Sequence, residues 1–319
     1  MVGIGGAGCR IADTIYDYDK KSPSIRCTDG IAIDSDAVSL STLRALPREN
    51  LLFSKALDPN HDEKIPVSLP NDEITARLQS LDHGDIDALI ICLGLGGTMA
   101  GLAPSLVKSI RKTMVEPVFG LLTLPCESEA EEVHTRAADQ IDALSEVVEG
   151  ILLFDNEKWI AKVANDPDLQ AIHLTEGVAL PFMRRQNSPL PATTPGYDGI
   201  NHLIARWISL ILRAGEVNER PGSEVGEVAL DAGEIVNTLR GCGLAAIGFA
   251  RDPLSPVSPD LIRKLRPAGH SVDENHEKAA RIVALGKRAV LEEMSVSCTI
   301  ADAEKALILI AGPADELNM

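Results

Sequence analysis

The chain has 319 residues, which is enough for one large domain or two smaller ones that each bury their own core. Its formal net charge of −17 disfavours nucleic acids and anionic membrane surfaces as partners, because binding to phosphate groups needs clustered Lys and Arg. We find neither a signal-peptide pattern nor an apolar run of about 18 residues, so we expect a cytoplasmic protein without direct membrane insertion.

The first 180 residues alternate short apolar runs with amphipathic stretches, and aromatic residues make up only 3% of the chain. A core of Leu, Ile, Val and Ala in this rhythm is typical of a parallel sheet with helices on both faces. Strands are predicted at Gly30–Ile33, Ile86–Leu93, Val118–Leu124 and Gly150–Phe154. Helices are predicted at Ala7–Asp17, Asn71–Leu81, Met99–Met114, Cys126–Val148 and Glu157–Asn165.

A loop rich in Pro, Ser and Thr, Gln186–Pro195, leads to a helix predicted at Tyr197–Arg213. Apolar residues nearly encircle this helix, which indicates that it is buried between two layers. An acidic loop at Gly215–Glu227 follows, and then a segment that predicts a smaller α+β domain. Its predicted helices are Ala232–Arg240 and Glu274–Glu292, and its predicted strands are Leu244–Phe249, Ser295–Thr299 and Ala306–Ala311.

The sequence therefore predicts an α/β protein with a Rossmann-like parallel-sheet domain at residues 1–196, a central core helix at 197–214 and a smaller domain at 215–319. Only Met1 and Val2 precede the first glycine turn, where a strand should lie, and the chain stops right after the last predicted strand. We expect the fold to be truncated at both ends, with the C-terminal domain incomplete.

The first candidate site is the glycine turn Gly3–Gly8, which leads from a strand into a helix. Glycines let the backbone approach a ligand closely, and a helix N-terminus offers unpaired N–H groups to a phosphate. A dinucleotide-binding fold has the same turn, followed about 20 residues later by an acidic residue that binds ribose. Asp34 and Asp36 stand at roughly that distance. A dinucleotide-dependent oxidoreductase therefore remains an alternative.

A second glycine turn, Gly94–Gly101, also joins an apolar strand to a helix. Two such turns at the ends of neighbouring parallel strands could hold one triphosphate from two sides, whereas a dinucleotide fold needs only one. The P-loop pattern G-K-[ST] is absent. No C-x-x-C pair and no His spacing suited to a metal occurs, so we expect no direct protein ligands to a metal.

The order of these motifs resembles the tubulin/FtsZ superfamily, and within it the archaeal CetZ group most of all. The motifs are Gly5-Gly6-Ala7-Gly8, Gly94-Leu95-Gly96-Gly97-Thr98, Asp155-Asn156 and Asp231…Glu234. Four longer stretches support the CetZ group: Leu153–Trp159, Leu230–Leu239, Gly243–Gly248 and Ala303–Pro313.

The resemblance implies a GTP-binding domain, a core helix and a C-terminal activation domain in a GTPase that polymerises head to tail. The implied ligands are GTP or GDP, with Mg²⁺ held through the phosphates, and the implied partner is a second copy of the chain. A role in archaeal cell shape or division would follow. The resemblance assigns nucleotide binding, mainly around the phosphates and the ribose, to a further set of residues. They are Gly5, Gly6, Ala7, Gly8, Cys9, Arg10, Asp34, Gly96, Gly97, Thr98, Glu129 and Asn156.

Tyr197 and Asn201 lie one turn apart at the start of the core helix, and so on one face. By the resemblance, Tyr197 stacks on guanine and Asn201 reads the edge of the base. Asp231 and Glu234, at i and i+3, would be the catalytic pair, acting in trans on the nucleotide of the next subunit. Helix-start acidity alone would also explain this pair.

Departures from the family pattern concern turnover more than binding. The second glycine turn lacks one glycine and has Met99 and Ala100 where small and hydroxyl residues are usual, while 57–64 is acidic instead of rich in Gly and Asn. Val133 and Ala229 replace an arginine and an asparagine found in FtsZ. A family member that binds guanine nucleotide with little or no turnover is therefore a second alternative.

Overall fold

The protein's computed structural model describes residues 1–22, 26–54, 69–81, 86–165, 195–214, 230–241, 243–252 and 271–312. Its centre is a seven-stranded sheet in the order β3-β2-β1-β4-β5-β6-β7, with every neighbouring pair parallel. The strands are β1 (Val2–Ile4), β2 (Ile31–Asp34), β3 (Leu51–Phe53), β4 (Leu89–Gly94), β5 (Val118–Leu124), β6 (Gly150–Asp155) and β7 (Gly243–Ala245).

Eight helices lie between these strands in the chain, and a ninth described helix follows β7. They are α1 (Gly5–Lys21), α2 (Ala37–Thr42), α3 (Asn71–Leu81), α4 (Ala103–Ile110), α5 (Glu131–Ser145), α6 (Asn156–Asn165), α7 (Pro195–Leu212), α8 (Ala232–Leu239) and α9 (Ser271–Leu291). Short 3₁₀ turns lie at Arg48–Asn50, Met99–Leu102 and Ile300–Asp302.

The strands are apolar almost throughout because both faces of the sheet are covered. One face packs a core against α3, α4 and α5 that includes Ile74, Leu106 and Leu144. The opposite face packs against α1, α6 and α7, with Trp207 of α7 at its centre against Phe154 and Trp159. This two-sided parallel sheet confirms the α/β fold predicted from the sequence.

The central helix α7 is buried on most of its surface, as its composition predicts. Ile204, Trp207 and Ile208 are at most 3% exposed, whereas Leu210 near its end is 40% exposed. Its 18 residues span roughly 27 Å. Together with α1, beside which it packs, α7 runs from the carboxyl edge of the sheet towards the opposite edge.

Three expected strands of the C-terminal region differ in the structure. The strand predicted at Leu244–Phe249 is shorter, at Gly243–Ala245, and extends the main sheet by pairing with β6. Residues 295–299 form no strand. Ser295 N donates to Ile247 O (2.7 Å) and Ser295 O accepts from Asp155 N (2.9 Å), while the buried Ser295 hydroxyl donates to the Leu153 carbonyl (2.7 Å) and accepts from Ile247 N (3.0 Å). Residues 306–311 have no pairing partner among the described residues and so form no strand.

The helix predicted at Met99–Met114 also differs, since it divides into a 3₁₀ turn at Met99–Leu102 and α4. Pro104, in the first turn of α4, has no backbone N–H to donate to the carbonyl four residues earlier. The α-helix therefore does not extend back through Met99–Leu102. The domain limits at 196 and 214 stay predictions.

The strand order reverses direction between β1 and β4. The chain moves outwards in one direction from β1 to β2 and β3, and in the other from β4 to β5 and β6. In open parallel sheets, ligands bind in the crevice at the carboxyl ends of the strands at such a switch point. Both predicted glycine turns follow the strands that flank it.

Candidate functional site

A cavity of about 560 Å³ opens at the switch point, between the two glycine turns, the β5–α5 loop and the first turns of α6 and α7. Of the residues predicted to bind nucleotide, all except Gly8 and Cys9 line it. They are Gly5, Gly6, Ala7, Arg10, Asp34, Gly96, Gly97, Thr98, Glu129, Asn156, Tyr197 and Asn201. The fold thus brings together residues separated by nearly two hundred positions in the sequence.

Gly8 and Cys9 face the sheet instead of the cavity. A Cβ on Gly8 would lie 2.0 Å from the Cys92 carbonyl oxygen, so glycine here allows α1 to pack closely on β4. Cys9 is fully buried, and its thiol donates to the carbonyls of Gly3 and Ile33, each at 3.4 Å. Both residues position α1, whose first turn faces the cavity.

The first glycine turn presents the N-terminus of α1 to the cavity. The helix begins at Gly5 directly after β1, has no side-chain cap and has no acidic residue in its first turn. Its first N–H groups therefore have no partner within the helix, and its dipole favours an anion there. This end of the cavity is suited to a phosphate group.

The second glycine turn is held by residues of α5. Gly96 has φ +83°, and a Cβ on it would lie 2.3 Å from Cγ1 of Val133, so the position requires glycine. Gly96 N donates to Gln140 Oε1 (2.7 Å), and Gln140 Nε2 donates to Gly97 O (2.8 Å). Arg136 Nε donates to Gly96 O (2.9 Å).

Arg136 and Gln140 were not predicted from the sequence, although a signal was available. Val133, Arg136 and Gln140 follow helical spacing on α5, so they lie on one face of the helix. That face meets Gly96, and Arg136 also lines the cavity. Polar residues at this spacing opposite a glycine turn would have indicated a support for the turn.

Asp34 ends β2 and closes the cavity beside the first glycine turn. It is 4% exposed, and its Oδ1 accepts from Ser35 N at 2.7 Å. A Cβ built on Gly6 would lie 3.3 Å from an Arg10 guanidinium nitrogen and 3.6 Å from Asp34 Oδ2. Arg10 and Asp34 thus both flank Gly6.

Polar side chains on the first turns of α6 and α7 form the opposite wall. Asn156 and Asn201 are 8% and 7% exposed, so each amide is almost fully withdrawn from solvent. The Tyr197 hydroxyl donates to Cys126 Sγ (3.1 Å), which fixes one end of the ring. Burial raises the pKa of both Tyr197 and Cys126, so both are neutral at pH 7. The exposed Glu129 accepts from Cys126 N (3.0 Å) at the rim.

The charge of the cavity wall differs from that of the whole chain. Among the described residues that line the cavity, the charged ones are Arg10, Arg136, Asp34 and Glu129. Two cations therefore balance two carboxylates locally, whereas the chain carries a formal charge of −17. An anionic ligand meets far less repulsion here than the net charge suggests.

The predicted catalytic pair does not line the cavity and caps α8. Asp231 Oδ1 accepts from Glu234 N (2.8 Å), and Glu234 Oε2 accepts from Asp231 N (3.3 Å), which forms a capping box. Both residues are exposed. Beyond the end of α8, Gly241 N donates to the carbonyl of Glu149, just before β6 begins, so α8 ends at the amino edge of the sheet.

Some departures from the family pattern lie at the cavity, and others lie outside the described residues. Met99 and Ala100 line the cavity yet are largely buried in the core, and a Cβ on Gly5 would lie 3.1 Å from Cβ of Met99. The Met99 side chain thus abuts the first glycine turn. The acidic segment 57–64 and Ala229 lie outside the described residues.

Two further features concern membranes and metals. Within the described parts of the chain, no helix has the length and apolar character that crossing a bilayer would require. The same residues contain no group of three or more His, Cys, Asp or Glu side chains placed to hold a metal ion.

Models of two families match the chain. Residues 1–164 match the GTPase domain of the tubulin/FtsZ family, and residues 192–319 match the C-terminal domain of tubulin-like CetZ. The tubulin-like protein CetZ1 of Haloferax volcanii is 28% identical, over 100% of this chain and 77% of its own length. The tubulin-like protein CetZ of Pyrococcus furiosus is 26% identical, over 88% of this chain and 69% of its own length.

Solved structures share the fold. CetZ1 of Haloferax volcanii, solved as a GDP-bound monomer, has a TM-score of 0.65 at 23% identity, over 94% of this chain and 75% of that one. CetZ2 of the same organism, solved as a GTPγS-bound protofilament, has a TM-score of 0.60 at 22% identity, over 92% and 73%. The empty FtsZ dimer of M. jannaschii has a TM-score of 0.51 at 20% identity, over 78% and 62%.

Proposed function

The chain belongs to the tubulin/FtsZ family, with a CetZ domain in its C-terminal part, and on that premise we propose that it is a guanine-nucleotide-binding cytoskeletal protein that polymerises head to tail. A role in archaeal cell shape or division is part of this proposal. It is supported by the Haloferax and Pyrococcus relatives and by the protofilament form of one similar structure.

One observation carries the proposal: two glycine turns, after the adjacent strands β1 and β4, face a single cavity. The turn at Gly5–Ala7 offers helix N-terminal N–H groups, while the turn at Gly96–Thr98 approaches from the side of α5. A triphosphate tail gripped from two sides fits this arrangement, whereas the pyrophosphate of a dinucleotide needs only the first turn.

The opposite wall favours guanine as the base. Tyr197 offers an aromatic face beside the cavity, with its hydroxyl tied to Cys126. Asn201, on the same face of α7, has an amide that can both donate and accept hydrogen bonds, as the edge of guanine requires. Asn156 and Glu129 lie where they could contact the sugar.

We propose that hydrolysis needs two subunits. Asp231 and Glu234 do not line the cavity of their own chain, and we infer that they act on the nucleotide of a neighbour, where a carboxylate can orient the attacking water. Mg²⁺ on the phosphates would neutralise part of the charge that develops during transfer. Among the described residues that line the cavity, the carboxylates are those of Asp34 and Glu129, and Mg²⁺ would be held through the phosphates.

Binding without turnover is the second candidate function, and one contact favours it. The Met99 side chain abuts Gly5 at the place where the two glycine turns meet, and this narrows the space for a terminal phosphate. In that case GTP would support assembly without release of phosphate. Phosphate release measured on assembled protein separates the two functions.

The direct test of nucleotide class is to denature the purified protein and identify what it releases. We expect GDP or GTP at close to one equivalent per chain, and calorimetry of nucleotide-free protein should give GDP binding without measurable NAD binding. Release of NAD, or preferential binding of NAD, would contradict the proposal and favour an oxidoreductase.

A further inference from the structure

Arg136 has two environments at once. Its Nε donates to the carbonyl of Gly96 at 2.9 Å, at the tightest point of the second glycine turn, while the residue as a whole lines the cavity. Arg136 is an exposed residue of α5, so its guanidinium group approaches the cavity from the solvent side.

A guanidinium group has five N–H donors in one plane. With Nε bonded to Gly96 O, the plane of the group is fixed and most of its donors remain for another acceptor. Among the residues the structure describes, no carboxylate forms an ion pair with Arg136.

Gln140 provides the contrast that defines the role of Arg136. Its amide holds the same turn through Gly96 N and Gly97 O, yet Gln140 is 8% exposed and does not line the cavity. Support for the turn is therefore already present without Arg136. What Arg136 adds is a positive charge at the cavity.

We propose that Arg136 contacts the terminal phosphate of a bound nucleoside triphosphate with the free edge of its guanidinium group while Nε holds the Gly96 carbonyl. This inference rests on the proposed nucleotide-binding function and adds a contact at the same site. Through the shared guanidinium plane, the terminal phosphate and the second glycine turn are ordered together. A lysine could supply the charge, but it could not bridge both acceptors with the same planar geometry.

The test compares the affinity of four variants for GDP and GTPγS in the presence of Mg²⁺, using calorimetry on the full chain below its assembly concentration. The variants are Arg136→Gln, Arg136→Lys, Gln140→Met and Arg111→Gln. The last is a charge-matched control, since Arg111 pairs with Glu149 at the amino edge of the sheet. Thermal unfolding of each variant checks that it is folded.

For Arg136→Gln we expect GTPγS affinity to fall about tenfold or more and GDP affinity to fall by less than about threefold, because the lost bond is charge-assisted and reaches only the terminal phosphate. Arg136→Lys should lie in between. Gln140→Met should weaken both nucleotides by similar factors, and Arg111→Gln should change neither.

An equal loss for both nucleotides in Arg136→Gln, or no loss, would overturn the inference while leaving the nucleotide site intact. A wild-type chain that binds neither GDP nor GTPγS would instead overturn the proposed function, and the inference with it. If Arg136→Gln is the only variant that does not fold, Arg136→Lys, which retains the charge, decides the question. The loss of GTPγS affinity is then compared with the loss of GDP affinity in that variant.

Discussion

Asp19 shows how one carboxylate stabilises the end of the molecule away from the cavity. It is 2% exposed, accepts from Thr28 N and Thr28 Oγ1, each at 2.9 Å, and pairs with Arg213 beyond the end of α7. Burial alone would raise the pKa of Asp19, but hydrogen bonds from Cys27 and Thr28 outweigh it, and the pKa lies below its usual range. The ionised form is therefore the one that stabilises the fold.

Replacing Asp19 with Asn should lower the free energy of unfolding at pH 7 by about 1–3 kcal/mol, because charge-assisted hydrogen bonds and an ion pair are lost. Since the folded-state pKa is lowered, this contribution is complete above the ordinary Asp pKa of about 3.9 and is lost as the pH falls through the folded-state value. Urea unfolding at several pH values measures it, and the difference between the two proteins should shrink in acid.

Asp17→Asn is the matched control, because Asp17 forms an exposed pair with Lys21 on the same helix (2.6 Å) and should change stability by less than about 0.5 kcal/mol. A cost for Asp19→Asn that does not vary with pH would show that the carboxylate charge is unimportant.

Tyr197 allows stacking to be separated from hydrogen bonding. Tyr197→Phe keeps the ring and loses only the bond to Cys126, so GDP affinity should fall by less than about threefold. Tyr197→Ala removes the ring and should cost about tenfold or more, the range expected for loss of base stacking. Fluorescent GDP binding measures both, and similar affinities for the two variants would refute stacking by Tyr197.

Among the helices and strands, the predicted bounds were most accurate where the periodicity of apolar residues alone determines the element. The bounds predicted for α3 and β5 are those observed, because each carries a full apolar pattern between clear start and stop signals. The strands expected at 295–299 and 306–311 depended on a partner strand that local sequence cannot supply. At 295–299 the tertiary hydrogen bonds are those of Ser295 with Leu153, Asp155 and Ile247, and 306–311 pairs with no described strand.

The candidate site was predictable to a similar extent and for similar reasons. Glycine turns that follow apolar strands can be recognised from the local sequence. Tyr197 and Asn201 were predicted as base-binding residues from the resemblance to the family. Arg136 and Gln140 were missed, because their importance depends on α5 packing against Gly96, which lies forty residues or more away in the chain.

The capping box at the start of α8 raises a problem for mutagenesis, since Asp231→Ala would remove a helix cap as well as a candidate catalytic group. The loss of the cap alone should cost about 1 kcal/mol of stability. Asp231→Asn keeps a good cap, and we expect it to leave the unfolding free energy within about 0.5 kcal/mol of wild type while reducing GTP turnover severely.

Phosphate release from assembled protein and chemical unfolding, measured side by side, check this prediction. Turnover by Asp231→Asn at the wild-type rate would show that Asp231 serves only as a cap.

In the whole molecule, the capping box is separate from the cavity, since neither Asp231 nor Glu234 lines it. The cavity opens at the carboxyl edge of the sheet, whereas α8 ends at the amino edge, beside the start of β6. A head-to-tail contact between copies would bring these two edges together. We therefore expect an enzyme whose complete site exists only between subunits, and whose turnover per chain rises with protein concentration.

Mixing two defective variants tests whether the complete site lies between subunits. Gly6→Leu should obstruct the cavity, because the three atoms nearest to a Cβ there belong to the side chains of Ser39, Arg10 and Asp34. Asp231→Asn should disable the loop while leaving the cavity intact. Neither variant alone should hydrolyse GTP appreciably. In an equal mixture we expect GTP turnover to return, because intact loops of Gly6→Leu subunits contact intact cavities of Asp231→Asn subunits. A mixture as inactive as its two components would contradict a site shared between subunits.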